Sequence, residues 1–296
     1  MKIRQISVFV SACALALTVL VSPTAAQAQE VALRLDPHGF PMVGSMAAMV
    51  VNQNTGETLF EQHSSRVMPI ASITKLMTAM VVLDARQSFS ETLTVTAEDI
   101  DRLKNTGSRL SVGSRLTREE MMHIMLMSSE NRAASALARY YPGGREAFIN
   151  AMNVKARMIG LWDTRFADSS GLDPRNVSTP RDLVKLVSEA TAYPMIRDYS
   201  TQTERHVRVG GGTLRFGNSN ALARDPKWRL GLSKTGYIRE SGRSVVMQAW
   251  VGDDPVIIVL LNADAPHTRN VDAQQVRLWL EDFGGQPMMA LASRNG

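Results

Sequence analysis

Three short motifs contain the residue types that nucleophilic catalysis by a serine requires. They are Ser72-Ile73-Thr74-Lys75, Ser129-Glu130-Asn131 and Lys234-Thr235-Gly236, and they follow one another in this order. A serine hydroxyl becomes a nucleophile only when a base takes its proton. Each motif alone recurs by chance, but their joint occurrence in fitting local contexts predicts acyl transfer through a covalent serine intermediate.

Ser72 and Lys75 are the expected nucleophile and general base. Their spacing places both side chains on one face of a helix, about one turn apart. For Lys75 to accept a proton near neutral pH, its pKa must fall from about 10.4 towards neutrality, which requires an environment worth ~4.6 kcal/mol. Burial and a second cation both lower a lysine pKa, and Lys234 is the candidate for that cation. The helix start would also direct backbone N–H groups at the reacting centre.

Ser129 and Asn131 are expected just beyond a helix end, where a turn directs both side chains inward. Ser129 would pass protons between Lys75 or Lys234 and the leaving amine. Asn131 would hydrogen-bond the backbone of the substrate. These two residues are therefore the predicted proton relay and the predicted substrate-binding amide.

The Lys234-Thr235-Gly236 motif is expected on an edge strand that binds substrate. Lys234 supplies positive charge and Thr235 a hydroxyl for a substrate carboxylate, while Gly236 leaves room for an extended substrate beside the strand. The backbone N–H groups of Ser72 and Tyr237 would form the oxyanion hole.

The pattern of apolar residues predicts two strands, a long helical middle, three further strands and a final helix. The predicted strands are Ala47–Gln53, Glu57–Gln62, Leu230–Tyr237, Arg243–Val251 and Val256–Asn262, and the predicted helices are Ala71–Arg86, Thr117–Met127, Gly143–Gly160, one from Thr179, and Val271–Phe283. Gly210-Gly211-Gly212 is expected as a hairpin turn. This order predicts a mixed α/β fold, in which an antiparallel sheet has terminal helices on one face and a mostly helical insertion on the other side.

Residues 1–28 have the features of a secretory signal. Lys2 and Arg4 give a basic start, the apolar stretch Ile6–Val21 follows, and Ala26-Gln27-Ala28 is a cleavage site of small residues. The apolar stretch is shorter than the ~20 residues of a membrane span. We expect an exported protein with a linker at 29–43, a catalytic domain at 44–285 that contains a helical insertion at about 90–205, and a tail at 286–296.

The composition argues against several classes of function. Cys13, the only cysteine, lies within the predicted signal, so the mature chain would have no thiol for a disulfide, a metal or a nucleophile. Loss of Lys2 and Arg4 lowers the formal charge from +5 to +3, and no block of like charges indicates a nucleic-acid surface.

Other candidate sites have less support from the sequence. Glu120 and His123 form one E-x-x-H pair, whereas a carboxylate-bridged metal site needs two, and no H-E-x-x-H occurs. No metal or other cofactor is therefore predicted. Arg243, on the strand after the third motif, is a candidate for carboxylate recognition, although a solvated strand position is the simpler interpretation.

The motifs and their surroundings resemble the D-alanyl-D-alanine carboxypeptidase family of low-molecular-mass penicillin-binding proteins, serine peptidase family S11, and most of all its penicillin-binding protein 7 type, the D-alanyl-D-alanine endopeptidases. The likeness extends from about Ser45 to Phe283 and rests on Ala71–Ala79, Met127–Ala134, Asp168–Leu172 and Lys234–Tyr237. The resemblance implies an exported, periplasmic peptidase that cuts D-Ala-linked bonds in peptidoglycan and is acylated by penicillin. It also implies the mixed α/β fold shared with serine β-lactamases.

One departure from the family pattern favours the endopeptidase type over the carboxypeptidases. Carboxypeptidase members usually carry a further β-rich domain and a C-terminal amphipathic anchor, whereas only Gly284–Gly296 follows the last predicted helix here. That segment is too short and too mixed to bind a membrane, so no stable anchor is expected after signal cleavage.

Two alternatives of other classes remain open in the sequence. A class A β-lactamase needs a glutamate in an E-x-x-L-N loop, and Glu146-Ala147-Phe148-Ile149-Asn150 is a near match. It lies within an amphipathic helix where Phe148 should pack, so we interpret it as chance. A non-catalytic peptidoglycan- or penicillin-binding module is the second alternative, although the serine and both lysines are present.

Overall fold

A five-stranded antiparallel sheet forms the centre of the computed structural model, which describes residues 31–265 and 267–286. In chain order the strands are β1 (Ala47–Asn52), β2 (Thr58–Gln62), β3 (Met68–Pro69), β4 (Thr92–Thr94), β5 (Arg115–Thr117), β6 (Val177–Ser178), β7 (Glu204–Val209), β8 (Gly212–Gly217), β9 (Arg229–Ile238), β10 (Gly242–Val251) and β11 (Asp254–Ala263). The central sheet has the order β2-β1-β11-β10-β9, so β9 is an edge strand, as predicted. The two predicted strands near the start and the three near the end therefore form one sheet.

Helices cover both faces of this sheet. They are α1 (Lys75–Asp84), α2 (Arg118–Met127), α3 (Asn131–Arg139), α4 (Gly144–Met158), α5 (Pro180–Ala190), α6 (Pro194–Thr201) and α7 (Thr268–Phe283). On one face, Leu232, Val246 and Val259 join the core formed with α1 to α6. On the other face, Met247 and Leu260 pack with α7. The mixed α/β class predicted from the sequence is confirmed.

Capping residues set the starts of two predicted helices. The Thr117 side chain accepts a hydrogen bond from the backbone N–H of Glu120, and the Glu120 carboxylate accepts one from the backbone N–H of Thr117, which completes a capping box. The Thr179 side chain accepts from the backbone N–H of Asp182 and caps α5, with Pro180 at the first position. Both helices begin where the capping pattern predicts.

The structure contains elements that the sequence pattern did not indicate. Helix α3 begins at Asn131, with only three residues between it and the end of α2, because the Glu130 side chain accepts from the N–H of Arg132 and caps a new helix. Helix α6 and the two-stranded pairs β3–β6 and β4–β5 are also additional. The pair β7–β8 confirms the hairpin around Gly210–Gly212.

Part of the predicted linker packs against the α7 side of the sheet. Leu33, Leu35 and Phe40 join that core, and the Trp279 indole donates a hydrogen bond to the Gly39 carbonyl at 3.1 Å. The predicted signal at 1–28 and most of the predicted tail lie outside the described residues. Within the described ranges, no helix has both the length and the apolar character needed to cross a membrane.

Candidate active site

Ser72 lies in a short 3-10 turn, Ala71–Thr74, directly before α1. The predicted helix from Ala71 is thus divided, and the α-helix proper begins at Lys75. Ala71 has φ +46°, a left-handed conformation that non-glycine residues rarely adopt and that is often found beside functional groups. The Nζ atom of Lys75 lies 2.8 Å from Oγ of Ser72, so the first motif brings both of its side chains together.

Lys75 is completely buried and has three hydrogen-bond partners. Besides Ser72, its Nζ lies 2.8 Å from Oδ1 of Asn131 and 2.5 Å from the carbonyl oxygen of Ser170. Burial lowers the Lys75 pKa to about 7, although the negative charges of Asp168 and Glu130 oppose this change. The direction agrees with the expectation from the sequence, and loss of hydration is its main cause.

Lys234 and Ser129 form a second contact of the site. The Lys234 ammonium donates to Oγ of Ser129 at 2.9 Å and to the Thr235 carbonyl at 3.0 Å. Ser129 has φ +63°, which turns the chain sharply between α2 and α3. Burial lowers the pKa of Lys234 well below its usual value, and the charges of Lys75 and Arg269 lower it further.

Asn131 connects the first motif to a neighbouring loop. Its Oδ1 accepts from Lys75, while its Nδ2 donates to Oγ1 of Thr106 at 3.1 Å. Thr106 in turn donates to the Asp101 carboxylate at 2.8 Å. These bonds hold the Asn131 amide in one orientation against Lys75; its predicted contact with the substrate backbone stays a prediction.

Two glycines allow other elements to approach the Ser72 turn closely. A Cβ at Gly236, on β9, would lie 2.8 Å from the Ile70 carbonyl oxygen. A Cβ at Gly171 would lie 1.9 Å from the Ala71 carbonyl oxygen and 2.8 Å from the Ser72 nitrogen. The Ser72 turn is therefore held between the edge strand and the loop that contains Ser170.

Thr235 and Tyr237 continue the third motif along β9. Oγ1 of Thr235 donates to Oγ of Ser219 at 2.8 Å. The Tyr237 side chain is 56% exposed, and the Arg243 guanidinium lies 4.5 Å from its ring centre. The oxyanion role of the Tyr237 and Ser72 N–H groups stays a prediction.

A cavity of about 450 Å³ adjoins the Ser129 turn. It lies between the loop before α2 and strand β8, and it is lined by Gly107, Ser108, Arg109, Ser128, Glu130, Phe216 and Gly217. The cavity therefore borders the residues on either side of Ser129.

Sequence reasoning missed the loop that supplies the Ser170 carbonyl. Oδ1 of Asp168 accepts from the Ser170 and Gly171 N–H groups, and Asn176 donates to the same carboxylate at 2.8 Å. The segment Asp168–Leu172 was recognisable only through the family resemblance, because a backbone carbonyl can come from any residue type. Arg269, whose charge acts on Lys234, was also missed.

The competing motifs lie in packed helices. Glu146 is in the first turn of α4, and Phe148 beside it is fully buried, as the amphipathic pattern predicts. His123 is buried, and its ring stacks on Tyr199 with a centroid distance of 4.2 Å. Its pKa is lowered to about 4, chiefly by burial. His123 is thus a core residue of α2.

Similar proteins are found for nearly the whole described chain. The family model described as D-alanyl-D-alanine carboxypeptidase, peptidase S11, matches residues 36–265. D-alanyl-D-alanine endopeptidases of Pseudomonas aeruginosa and Escherichia coli are each 42% identical, over 82% and 85% of this chain and 80% and 82% of their own. A D-alanyl-D-alanine carboxypeptidase of Escherichia coli is 28% identical over 81% of this chain and 62% of its own.

Solved structures of a DD-transpeptidase and of a penicillin-binding protein share this fold. The Streptomyces K15 DD-transpeptidase has a TM-score of 0.76 with 26% identity, over 81% of this chain and 98% of that chain. Penicillin-binding protein D2 of Listeria monocytogenes in its cefotaxime-bound form has a TM-score of 0.72 with 28% identity, over 80% of this chain and 97% of that chain. The family match, the 42% identical relatives and the shared fold agree. This chain belongs to the D-alanyl-D-alanine carboxypeptidase family, serine peptidase family S11.

Proposed function

We propose that this protein is a serine D-alanyl-D-alanine endopeptidase that cleaves D-Ala cross-links between peptidoglycan stem peptides through an acyl-enzyme. The observation that carries the proposal is the contact of the buried Lys75 amine with the Ser72 hydroxyl at 2.8 Å. The 42% identity to relatives named endopeptidases, against 28% to a carboxypeptidase, supports the choice of substrate.

The hydrogen bonds of Lys75 define how the base is directed. A neutral amine has two N–H donors and one lone pair. Asn131 Oδ1 and the Ser170 carbonyl can only accept, so they take both donors. The lone pair then faces the Ser72 hydroxyl, which is the orientation that a general base needs.

Acylation follows from this geometry. Lys75 takes the hydroxyl proton as Ser72 Oγ attacks the carbonyl carbon of the D-Ala residue. The backbone N–H groups of Ser72 and Tyr237 stabilise the oxyanion. The C–N bond then breaks, and Ser129 gives a proton to the leaving amine. The proton that Lys75 gained replaces the one lost by Ser129, whose direct partner is Lys234 at 2.9 Å, so Lys75 is neutral again in the acyl-enzyme.

Deacylation uses the same base in the second half of the reaction. A water molecule gives a proton to Lys75 and attacks the ester carbonyl, and Lys75 returns that proton to Ser72 Oγ, which leaves as a hydroxyl. The positive charge of Lys234 and the Thr235 hydroxyl attract the carboxylate next to the scissile amide, and Arg269 adds to the same positive potential.

A carboxypeptidase that removes a terminal D-Ala is the nearest alternative, because the same chemistry serves both substrates. Slow turnover of β-lactams is compatible with either activity, since penicillin would acylate Ser72. A dedicated β-lactamase has less support, because Glu146 belongs to a packed helix turn.

The proposal also covers the export of the protein, its domain bounds and its partners. We infer export to the periplasm through the signal at 1–28, with a catalytic domain at 44–285 that contains a helical insertion at about 90–205. Peptidoglycan peptides and β-lactams are the proposed partners. The cefotaxime-bound relative with the same fold supports the β-lactam assignment.

Digestion of purified muropeptides tests this function. Wild-type protein should convert a cross-linked dimer to monomers faster than it removes D-Ala from a pentapeptide. Ser72→Ala should lower the rate at least about 10³-fold, as expected for loss of a nucleophile. Ser88→Ala, at an exposed serine, is the matched control and should retain full activity. Dimer cleavage by Ser72→Ala at the wild-type rate would overturn the proposal.

A further inference from the structure

Arg243 is a cation without a matching anion beside the proposed site. It pairs in register with Tyr237 across β9 and β10, and its guanidinium lies over the Tyr237 ring. Among the described residues it forms no ion pair, and its Nε atom is buried without a hydrogen-bond partner. The Nη atoms also have no hydrogen-bond partner among the described residues, and they are not fully buried, so they are free to donate to a carboxylate.

Arg269 places a second guanidinium in the same region. Its Nη1 donates weakly to the carbonyl of Ser244, the residue after Arg243, at 3.4 Å. Its Nε is likewise buried without a partner. Burial and the nearby charge of Arg243 lower the Arg269 pKa. Two guanidinium groups that repel each other and lack an acidic partner in the described chain would be stabilised by an anion between or beside them.

The two arginines lie on different elements and act beside different residues of the third motif. The charge of Arg269 acts on Lys234, which contacts the proton relay. Arg243 instead pairs with Tyr237, at the exposed end of the third motif. Arg269 therefore adds positive charge near Lys234, while Arg243 lies beside Tyr237, three residues farther along β9.

We propose that Arg243 binds a second carboxylate on the leaving side of the substrate and thereby selects a peptide, rather than a single D-alanine, as the leaving group. A departing D-alanine offers one carboxylate, whereas a leaving peptide with an acidic residue offers at least two. A planar guanidinium is suited to bidentate binding of such a group. The proposal rests on the proposed peptidase function and specifies its substrate class.

A comparison of two substrates tests the proposal. For Arg243→Gln, kcat/KM should fall about tenfold with a cross-linked dimer, which is the factor for one charge-assisted hydrogen bond, and no more than about threefold with a pentapeptide ending in D-Ala-D-Ala. Arg243→Lys should recover only part of the loss, because an ammonium cannot bind in a bidentate manner. Arg239→Gln, at an exposed arginine in the turn after β9, is the control and should retain wild-type values.

A change in the substrate gives a second test that does not depend on folding of a variant. Wild-type protein should cleave a dimer whose additional leaving-side carboxylates are amidated about tenfold less efficiently than the free acid. Arg243→Gln should cleave the two dimers equally well. Equal losses on dimer and pentapeptide, or indifference of the wild type to amidation, would overturn the role of Arg243. Absence of wild-type activity on both substrates would instead overturn the proposed function.

Discussion

Lys75 must combine full burial with a position beside the Ser72 hydroxyl. Burial removes hydration from the ammonium and lowers its pKa to about 7, so a large neutral fraction exists near neutral pH. Asp168 and Glu130 oppose this effect. Asn131 is neutral, and it therefore accepts a hydrogen bond from Lys75 without stabilising the charged form as strongly as a carboxylate would.

Asn131→Asp should weaken the base without removing its hydrogen-bond partner. A carboxylate at the position of Oδ1, 2.8 Å from Nζ, raises the pKa of Lys75 because it favours the ammonium. Acylation by a fluorescent penicillin should fall at least about tenfold at pH 7 and recover as the pH is raised. Asn131→Ser, which stays neutral, should show no such recovery. Equal pH dependence of both variants would contradict this role of Asn131.

The residue types of the site could be predicted from the sequence, but some of their contacts could not. Serine and lysine at a spacing of three residues, and the lysine of β9, have the chemistry of a nucleophile, a base and a cation. The Ser170 carbonyl and the Thr106 hydroxyl were not predicted, because many residues could supply such groups. Burial, which was expected together with a second cation, lowers the Lys75 pKa, whereas Lys234 is not among the causes of that shift.

At the scale of elements, the 3-10 turn of Ser72 is positioned by close backbone contacts. Strand β9 approaches it at Gly236, and the Asp168–Asp173 loop approaches it at Gly171. Asp168 and Asn176 hold that loop through hydrogen bonds to its backbone and to each other. The position of the nucleophile thus depends on elements that are distant in sequence.

Gly171→Ala should displace the Ser72 turn. The new Cβ would meet the Ala71 carbonyl oxygen at 1.9 Å, so the loop or the turn must move. Misplacement by about 1 Å lowers a rate ~100-fold, and we expect penicillin acylation to fall by at least that factor. Gly113→Ala is the control, because Gly113 has a similar φ of +90° but no atom within 4 Å of its Cβ. Similar acylation rates in the two variants would contradict the packing argument.

The elements themselves were predicted with uneven success. The capped helices at Thr117 and Thr179 and the three long strands follow from side-chain patterns that occur within each segment. Helix α3 was missed because Ser129 turns the chain with φ +63° and Glu130 caps a new helix immediately afterwards. The short strands β3 to β6 depend on partners far away in sequence, and no local pattern reveals them.

At the scale of the whole molecule, the central sheet separates two cores. The core formed with α1 to α6 lies on the side of the sheet that carries the general base, because Lys75 is the first residue of α1. The other core contains Trp279 of α7, which is fully buried near Phe40 and Phe60. The second core therefore contributes to stability from the side of the sheet opposite Lys75.

Trp279→Ala should separate stability from catalysis. Truncation of this buried indole should lower the free energy of unfolding by about 3–5 kcal/mol, measured by chemical denaturation. The acylation rate of the folded fraction should stay within about twofold of the wild type. The space left by the indole would lie in the α7 core, on the other side of the sheet from the Ser72 turn. Trp162→Ala is the matched control, because Trp162 is 75% exposed, and its effect should stay within about 0.5 kcal/mol. A stability loss as small as that of the control would contradict the packing of this core.

The layout of the molecule followed from the order of its predicted strands and helices, together with the family resemblance. Two early strands, a helical middle, three late strands and a closing helix are all present. The strand order β2-β1-β11-β10-β9 was not predicted, because pairing between the two ends of the chain leaves little local trace. The packing of residues 33–43 against α7 was unexpected for the same reason.

The pH dependence of penicillin acylation tests most directly whether a buried, neutral Lys75 activates Ser72. Because the base acts only without its proton, the rate should be low in acid, rise with pH and level off above a single inflection near pH 7, where the Lys75 pKa lies. Rapid mixing with a fluorescent penicillin, followed by mass spectrometry of the Ser72 peptide, measures this rate. A rate that does not change between about pH 5 and 9 would contradict activation of Ser72 by a neutral Lys75. An inflection near the pKa of an exposed lysine, at about 10.4, would contradict it as well.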